Sequence, residues 1–215
     1  REERGAILPS LALVLILSPL SSLLSQERID RGRFAFLFSP RDRHLATSLA
    51  AHAIATDSFP GLPRPAQPVT VTIAPDRQRF REWAGESAPE WGVALAFPEA
   101  RRILIQGQRA GADAGDPFSV LRYELAHLAL HERLGTLPPR WFDEGYASFA
   151  AGEWGREEAL ATNLALAFGG MPTLEELEAS FTGGASTAQS AYALAYRAVA
   201  ELAQVDAGRG LALFF

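Results

Sequence analysis

Alternating apolar and polar residues mark several short strands in the first half of the chain. Three phenylalanines alternate with other residues across 33–39, and valine and isoleucine alternate with threonine across 69–74. Both segments are predicted to be half-buried strands. Two more apolar runs, 91–97 and 101–107, flank the turn-forming sequence Pro-Glu-Ala, which is typical of a hairpin. We therefore predict a small N-terminal sheet that is mostly antiparallel.

Helical spacing of apolar residues replaces this alternation in the second half of the chain. Asp116, followed by proline, is a favourable N-cap for a helix, and Thr173 with Glu176 has the spacing of a capping box. An alanine- and leucine-rich stretch, 41–56, adds a helix among the strands. Strands followed by a run of helices indicate an α+β fold. We expect one such domain over 33–215, complete or truncated at its apolar C-terminal end.

A charge-free apolar segment precedes the first predicted strand. Residues 5–26 contain no charged side chain, and 11–17 form a dense apolar run. An export signal needs an apolar stretch of about 7–15 residues, whereas a membrane-spanning helix needs about 20. We predict that residues 1–26 are a signal peptide or an N-terminal membrane anchor, with a buried helix as the third alternative. The protein is accordingly expected to be exported: periplasmic, extracellular or membrane-anchored.

Composition narrows the chemistry that the domain can perform. The chain has 215 residues, of which 48% are hydrophobic, and this suits a globular domain with a sizeable core. The net charge is −5 and acids and bases are interspersed, so there is no basic patch and nucleic acid is not an expected partner. The sequence contains no cysteine, which excludes disulfides and thiolate chemistry.

One predicted helix near the middle of the chain contains the sequence Tyr-Glu-Leu-Ala-His at 123–127. In the HExxH motif, two histidines four residues apart share one helix face and bind zinc, and the glutamate beside the first acts on the metal-bound water. Here Glu124 and His127 match the motif, but Tyr123 replaces the first histidine. A catalytic zinc needs a third protein ligand from elsewhere. Glu144 lies on the next predicted helix, in Arg-Trp-Phe-Asp-Glu-Gly.

Taken together, the sequences "LRYELAHLALHERLG" and "PRWFDEGYASF" resemble the gluzincin zinc metallopeptidases, and most closely the peptidase MA-like group. The resemblance implies a zincin-like fold and one zinc ion bound by His127 and Glu144. It implies that Glu124 is the general base for a metal-bound water that attacks a peptide bond of a peptide or protein substrate. It also implies that the strand at 101–106 is a sheet edge to which an extended peptide can add. Tyr192 is a candidate for stabilising the oxyanion, with core packing as the alternative.

The tyrosine at the first ligand position leaves several interpretations open. Tyr123 itself could bind zinc as a phenolate, although a phenol with a pKa near 10 depends on the metal to lose its proton. The register could instead shift to His127 and His131, but then Leu128 takes the place of the base, and leucine cannot activate water. In a third interpretation the site has lost catalytic zinc and the fold persists as an inactive pseudopeptidase, a binding or scaffold domain of the cell envelope. Because one nucleotide separates histidine and tyrosine codons, an error in the sequence is a further alternative.

Other residues near the two motifs receive structural interpretations. Trp141, Phe142 and Tyr146 are expected to pack in the core. Asp143 is interpreted as an acid in the first turn of a helix, where the helix dipole favours negative charge. In thermolysin-like relatives, an acid four residues after the glutamate ligand orients the first histidine; here that position is Ser148.

Overall fold

The structure of the chain is a computed structural model, which describes residues 26–85, 92–107, 115–152, 172–181 and 185–215. The predicted leader, residues 1–26, lies outside the described residues except for Gln26. Within the described ranges, no helix has both the length and the apolar character needed to cross a membrane.

The described strands form a five-stranded mixed sheet in the order β1-β2-β3-β5-β4. The strands are β1 (Glu27–Arg31), β2 (Phe34–Phe38), β3 (Val69–Ala74), β4 (Ala94–Phe97) and β5 (Arg102–Gln106). The β1–β2 and β4–β5 pairs are antiparallel, whereas β2–β3 and β3–β5 are parallel. The prediction of a mostly antiparallel sheet was therefore wrong. Helices connect β2 to β3 and follow β3, and such crossovers return the chain to the same end of the sheet.

The two edges of the described sheet differ from the prediction as well. The strand at 101–106 was expected to be an edge, but β5 pairs with β3 on one side and β4 on the other. The hairpin places its second strand inward, so β4 is the edge. The opposite edge is β1, which was not predicted because its sequence, Glu-Arg-Ile-Asp-Arg, lacks an apolar run. Such charges are typical of an edge strand that resists pairing with another chain.

The α+β prediction is confirmed, since the sheet lies in the first half of the chain and helices follow it. The helices are α1 (Arg43–Ala55), α2 (Arg77–Ala84), α3 (Pro117–Leu134), α4 (Arg140–Ala151), α5 (Leu174–Ser180), α6 (Ala185–Gly208) and α7 (Gly210–Phe214). Asp116 caps α3 as predicted, accepting the Ser119 backbone N–H at 3.0 Å. Thr173 and Glu176 form the predicted capping box of α5.

One hydrophobic core joins the sheet to α3 and α4. The phenylalanines of β2 and the apolar face of α3 are buried together, and Phe142 and Tyr146 of α4 complete this core, as predicted. Arg122 ties α3 to its neighbours by donating to the backbone oxygens of Ala150, at 2.6 Å, and Ser58, at 2.8 Å. The core and these ties hold α3 and α4 in a fixed relation.

A close approach between α4 and α6 depends on Gly145. A Cβ atom added at Gly145 would lie 2.4 Å from the backbone oxygen of Ala195. Only glycine therefore allows α6 to cross α4 at this point, one residue after Glu144. The crossing brings Tyr192 of α6 to the side of α4 that carries Glu144.

Candidate active site

The structure brings Tyr123, His127 and Glu144 together between α3 and α4. The Tyr123 hydroxyl donates a short hydrogen bond to Glu144 Oε2, and His127 Nε2 lies 3.9 Å from the same oxygen. The two rings on α3 meet edge to face, with centroids 5.0 Å apart and planes at 78°. Spacing of four residues on α3 puts both rings on one face, as the motif predicted. Two separate helices thus contribute an imidazole and a carboxylate to a shared site.

Asp143 orients His127, a role that sequence reasoning missed. His127 Nδ1 lies 2.7 Å from Asp143 Oδ1, and the residues are 8% and 7% exposed. The resemblance placed an acid for the first ligand position four residues after Glu144, and that position is the buried Ser148. The acid that contacts His127 immediately precedes Glu144, and its sequence context does not distinguish it from an ordinary acid in the first turn of a helix.

The electrostatics of the site keep a proton on His127 at neutral pH. Burial by itself lowers the pKa of an imidazole. Here the hydrogen bond and charge of Asp143, together with the charges of Glu124 and Glu144, outweigh burial and raise the pKa of His127 to about 9. Both ring nitrogens then carry hydrogen, so Nδ1 donates to Asp143 and Nε2 faces Glu144 as a cation.

Tyr123 is a neutral phenol in this environment. Burial is the largest cause that raises the pKa of Tyr123 well above its ordinary value, and the neighbouring charge of Glu144 adds to it. A negative charge on the phenol oxygen would lie beside the ionised carboxylate. The hydroxyl therefore keeps its proton and acts as a hydrogen-bond donor to Glu144.

Arg140 and Tyr192 complete the surroundings of Glu144. Arg140 Nε lies 3.4 Å from Glu144 Oε1, so both carboxylate oxygens of Glu144 have a donor. Arg140 and Tyr192 also influence each other's pKa. Burial and the charge of Glu144 raise the pKa of Tyr192, while Arg140 opposes this rise. Tyr192 also packs edge to face on Phe181, with ring centroids 5.1 Å apart, so it lies both in the site and in a small apolar cluster.

Glu178 of α5 fixes the first turn of α4. Its two carboxylate oxygens accept the backbone N–H groups of Arg140 and Trp141, each at 3.0 Å. The residue that precedes α4 is Pro139, whose side chain has no hydrogen-bonding group to cap the helix. Glu178 satisfies these amides in its place and complements the positive end of the helix dipole. The positions of Arg140 and Glu144 therefore depend on a residue of α5.

Glu124, the candidate base, and His131, the alternative ligand of the shifted register, have different surroundings. Glu124 is 8% exposed, and its charge contributes to the raised pKa values of His127 and Tyr123, so it lies close to the site. His131 lines a cavity of about 490 Å³ with Leu137 and the β4–β5 turn. Within the part of the chain that the structure describes, no hydrogen bond or ion pair links His131 to Tyr123, His127 or Glu144. The shifted register through His127 and His131 gains no support.

The arranged residues do not fit a catalytic zinc ion. Zinc takes three protein ligands in such sites. Among the described residues, no three side chains of His, Cys, Asp or Glu stand close enough together to hold a metal. One imidazole and one carboxylate converge, and the third donor is the Tyr123 phenol, which already donates to that carboxylate. Zinc would have to displace protons from His127 Nε2 and from the Tyr123 hydroxyl, and it would break the hydrogen bond from Tyr123 to Glu144.

No protein-family model matches the chain, and no curated protein matches it.

Proposed function

We propose that this chain is a gluzincin-like domain of the peptidase MA-like type that no longer hydrolyses peptide bonds and serves as an exported binding or scaffold domain. The observation that carries the proposal is the hydrogen bond from Tyr123 to Glu144. This bond joins Tyr123, at the first ligand position of the motif, to Glu144, at the third. In the same site, the cationic His127 lies between the carboxylates of Asp143 and Glu144. Each charged group thereby has a partner within the protein.

The chemistry of the remaining residues also favours a silent site. Hydrolysis of a peptide bond needs an activated water and a stabilised oxyanion. Glu124 can accept a proton from water, and Tyr192 can donate to an oxyanion. In a zinc peptidase, however, the metal lowers the pKa of that water, and the arranged residues do not fit the metal. The cations that face the site, Arg140 and protonated His127, are already paired with Glu144 and Asp143.

The edge strand β4 gives the proposed binding function a surface. The Gln106 N–H bonds to the Val93 oxygen, and pairing alternates along an antiparallel ladder, so Leu95 and Phe97 bond to β5. The backbone groups of Ala94 and Ala96 point away from the sheet. No described strand pairs with that side, and unlike β1 the strand carries no charge. An extended peptide segment fits such an edge by adding a strand.

A second candidate function, a zinc peptidase with Tyr123 as its third ligand, has one observation in its favour. His127 Nε2 and Glu144 Oε2 are 3.9 Å apart. Two ligand atoms on a tetrahedral zinc are about 3.3 Å apart, so a small movement would bring them to one ion. Asp143 holds His127 in the manner of groups that orient metal-binding histidines.

Metal content separates the two candidates. The chain is produced in zinc-supplemented medium, purified without chelator and assayed for bound zinc and for cleavage of an unfolded protein substrate. Glu144→Gln, which keeps the shape of the side chain and removes the charge, is the matched control. We expect background zinc and no cleavage for both proteins. One zinc per chain that is lost in Glu144→Gln, with cleavage that EDTA abolishes, would refute the proposal in favour of the peptidase.

A further inference from the structure

We infer that the Tyr123 hydroxyl stands where an HExxH site holds its metal ion, so that one substitution, Tyr123→His, creates a zinc site. The inference rests on the proposed function, because it explains how the fold keeps the site together without metal. Tyr123 thereby has a structural role in place of the metal ion that the motif implies.

The lengths of the two side chains support this placement. A tyrosine hydroxyl lies roughly 2 Å farther from Cα than the Nε2 atom of histidine, and a zinc–nitrogen bond is about 2.0–2.1 Å long. From the same backbone position, the phenol oxygen therefore reaches the point that an ion bound to histidine would occupy. The tyrosine side chain is thus about as long as a histidine side chain plus a zinc–nitrogen bond.

The Tyr123 ring packs on one of the two proposed ligands, His127, and the hydroxyl contacts the other. The contact is to Glu144 Oε2, and His127 Nε2 faces the same oxygen from 3.9 Å. The hydroxyl bridges α3 to α4 as zinc would bridge them. The difference lies in charge: zinc brings two positive charges, whereas the phenol brings none. The guanidinium of Arg140 supplies positive charge beside Glu144 instead.

Contacts other than the Tyr123 hydrogen bond also position the remaining ligands. Asp143 holds His127, Glu178 holds the first turn of α4, and Gly145 sets its crossing with α6. Replacing Tyr123 with histidine withdraws the hydroxyl and leaves space beside His127 and Glu144. His127 Nε2 and Glu144 Oε2 are 3.9 Å apart, so this distance has to shorten by only about 0.6 Å to match the spacing of two ligand atoms on zinc.

The test compares wild type, Tyr123→His, Tyr123→Phe and the double variant Tyr123→His/Glu144→Gln. Bound zinc is measured by metal analysis after dialysis, and Tm is measured with zinc and with EDTA. Tyr123→His should bind one zinc and gain about 5–10 °C in Tm at a zinc concentration about a hundredfold above Kd. The double variant should lose that gain. Tyr123→Phe should bind no zinc and melt about 2–8 °C below wild type in either buffer, because it lacks only the bridging hydroxyl.

Failure of the inference and failure of the proposed function give different results. If Tyr123→His folds but binds no zinc, and the wild type is also free of zinc, the inference is overturned and the proposed function is still supported. A wild type that binds one zinc and loses Tm in EDTA overturns the proposed function. If Tyr123→His does not fold, a double-mutant cycle between Tyr123→Phe and Glu144→Gln decides. Tm losses that are not additive support the bridge, and additive losses refute it.

Discussion

Raising the pH through the weakly alkaline range should destabilise the metal-free protein, because His127 loses its proton there. Folding raises the pKa of His127 from the ordinary 6.5 to about 9. Between these values the folded protein holds a proton that the unfolded chain has released. The stabilisation is therefore complete below about pH 6.5, declines above it, and is lost as the pH passes about 9.

The magnitude follows from the same pKa difference. Each unit corresponds to about 1.4 kcal/mol, so a rise from 6.5 to about 9 gives about 3 kcal/mol of stability at most. The carboxylates that supply it are at hand: Asp143 Oδ1 lies 2.7 Å from Nδ1, and Glu144 Oε2 lies 3.9 Å from Nε2. The proton on His127 also competes with a metal ion for the imidazole. Because the pKa of His127 is about two units above neutrality, the apparent zinc affinity at pH 7 is lowered about a hundredfold.

Urea denaturation across pH 6 to 10 measures the effect. Other groups also titrate in this range, so His127→Gln is the reference, and the difference in unfolding free energy between the two proteins isolates the imidazole. That difference should fall by about 1 kcal/mol per pH unit between pH 7 and pH 9. Asp143→Asn should shift the fall to lower pH. A difference that stays flat over this interval, or an imidazole that titrates near 6.5 by NMR, would refute the electrostatic account of the site.

Three further substitutions test the surrounding frame. Gly145→Ala should lower the unfolding free energy by about 2–3 kcal/mol in thermal denaturation, because its Cβ would meet a backbone oxygen at 2.4 Å; wild-type stability would show that α6 can move away. Glu178→Gln keeps the size of the side chain but removes the charge at the start of α4, and should cost about 1 kcal/mol by the same assay, with no loss if the cap is unimportant. Ala96→Pro removes a backbone N–H of β4 that points away from the sheet, so it should leave Tm nearly unchanged. It should abolish the binding of peptides that were selected from a displayed library for binding to the wild type, and unchanged binding would exclude strand addition at this edge.

Local features of the fold could be predicted from the sequence. The caps at Asp116 and Thr173 depend on residues within one turn, and the alternation in β2 and β3 depends on one strand and the face that it buries. These inferences need no knowledge of how distant elements pack. The convergence of His127 with Glu144 was expected from the resemblance that the two motifs show together, not from local pattern.

Features that depend on distant packing were missed. Which strand of the β4–β5 hairpin faces outward depends on where α2 delivers the chain, and the hairpin pattern itself is symmetric. The partnership of His127 with Asp143 depends on the rotation of α4 about its axis. That rotation is set by Glu178 and Gly145 through contacts with α5 and α6. The sequence around Asp143 contains nothing that distinguishes a histidine partner from an ordinary acid of a first turn.

The cap that Glu178 provides has a consequence for the order in which the protein matures. Tyr123, His127 and Glu144 leave the ribosome well before Glu178, since synthesis proceeds from the N-terminus. Until α5 has emerged and docked, the amides at the start of α4 have no carboxylate partner, and that turn is free to fray. The cluster between α3 and α4 thus reaches its final geometry late, after the residue that holds it has been made.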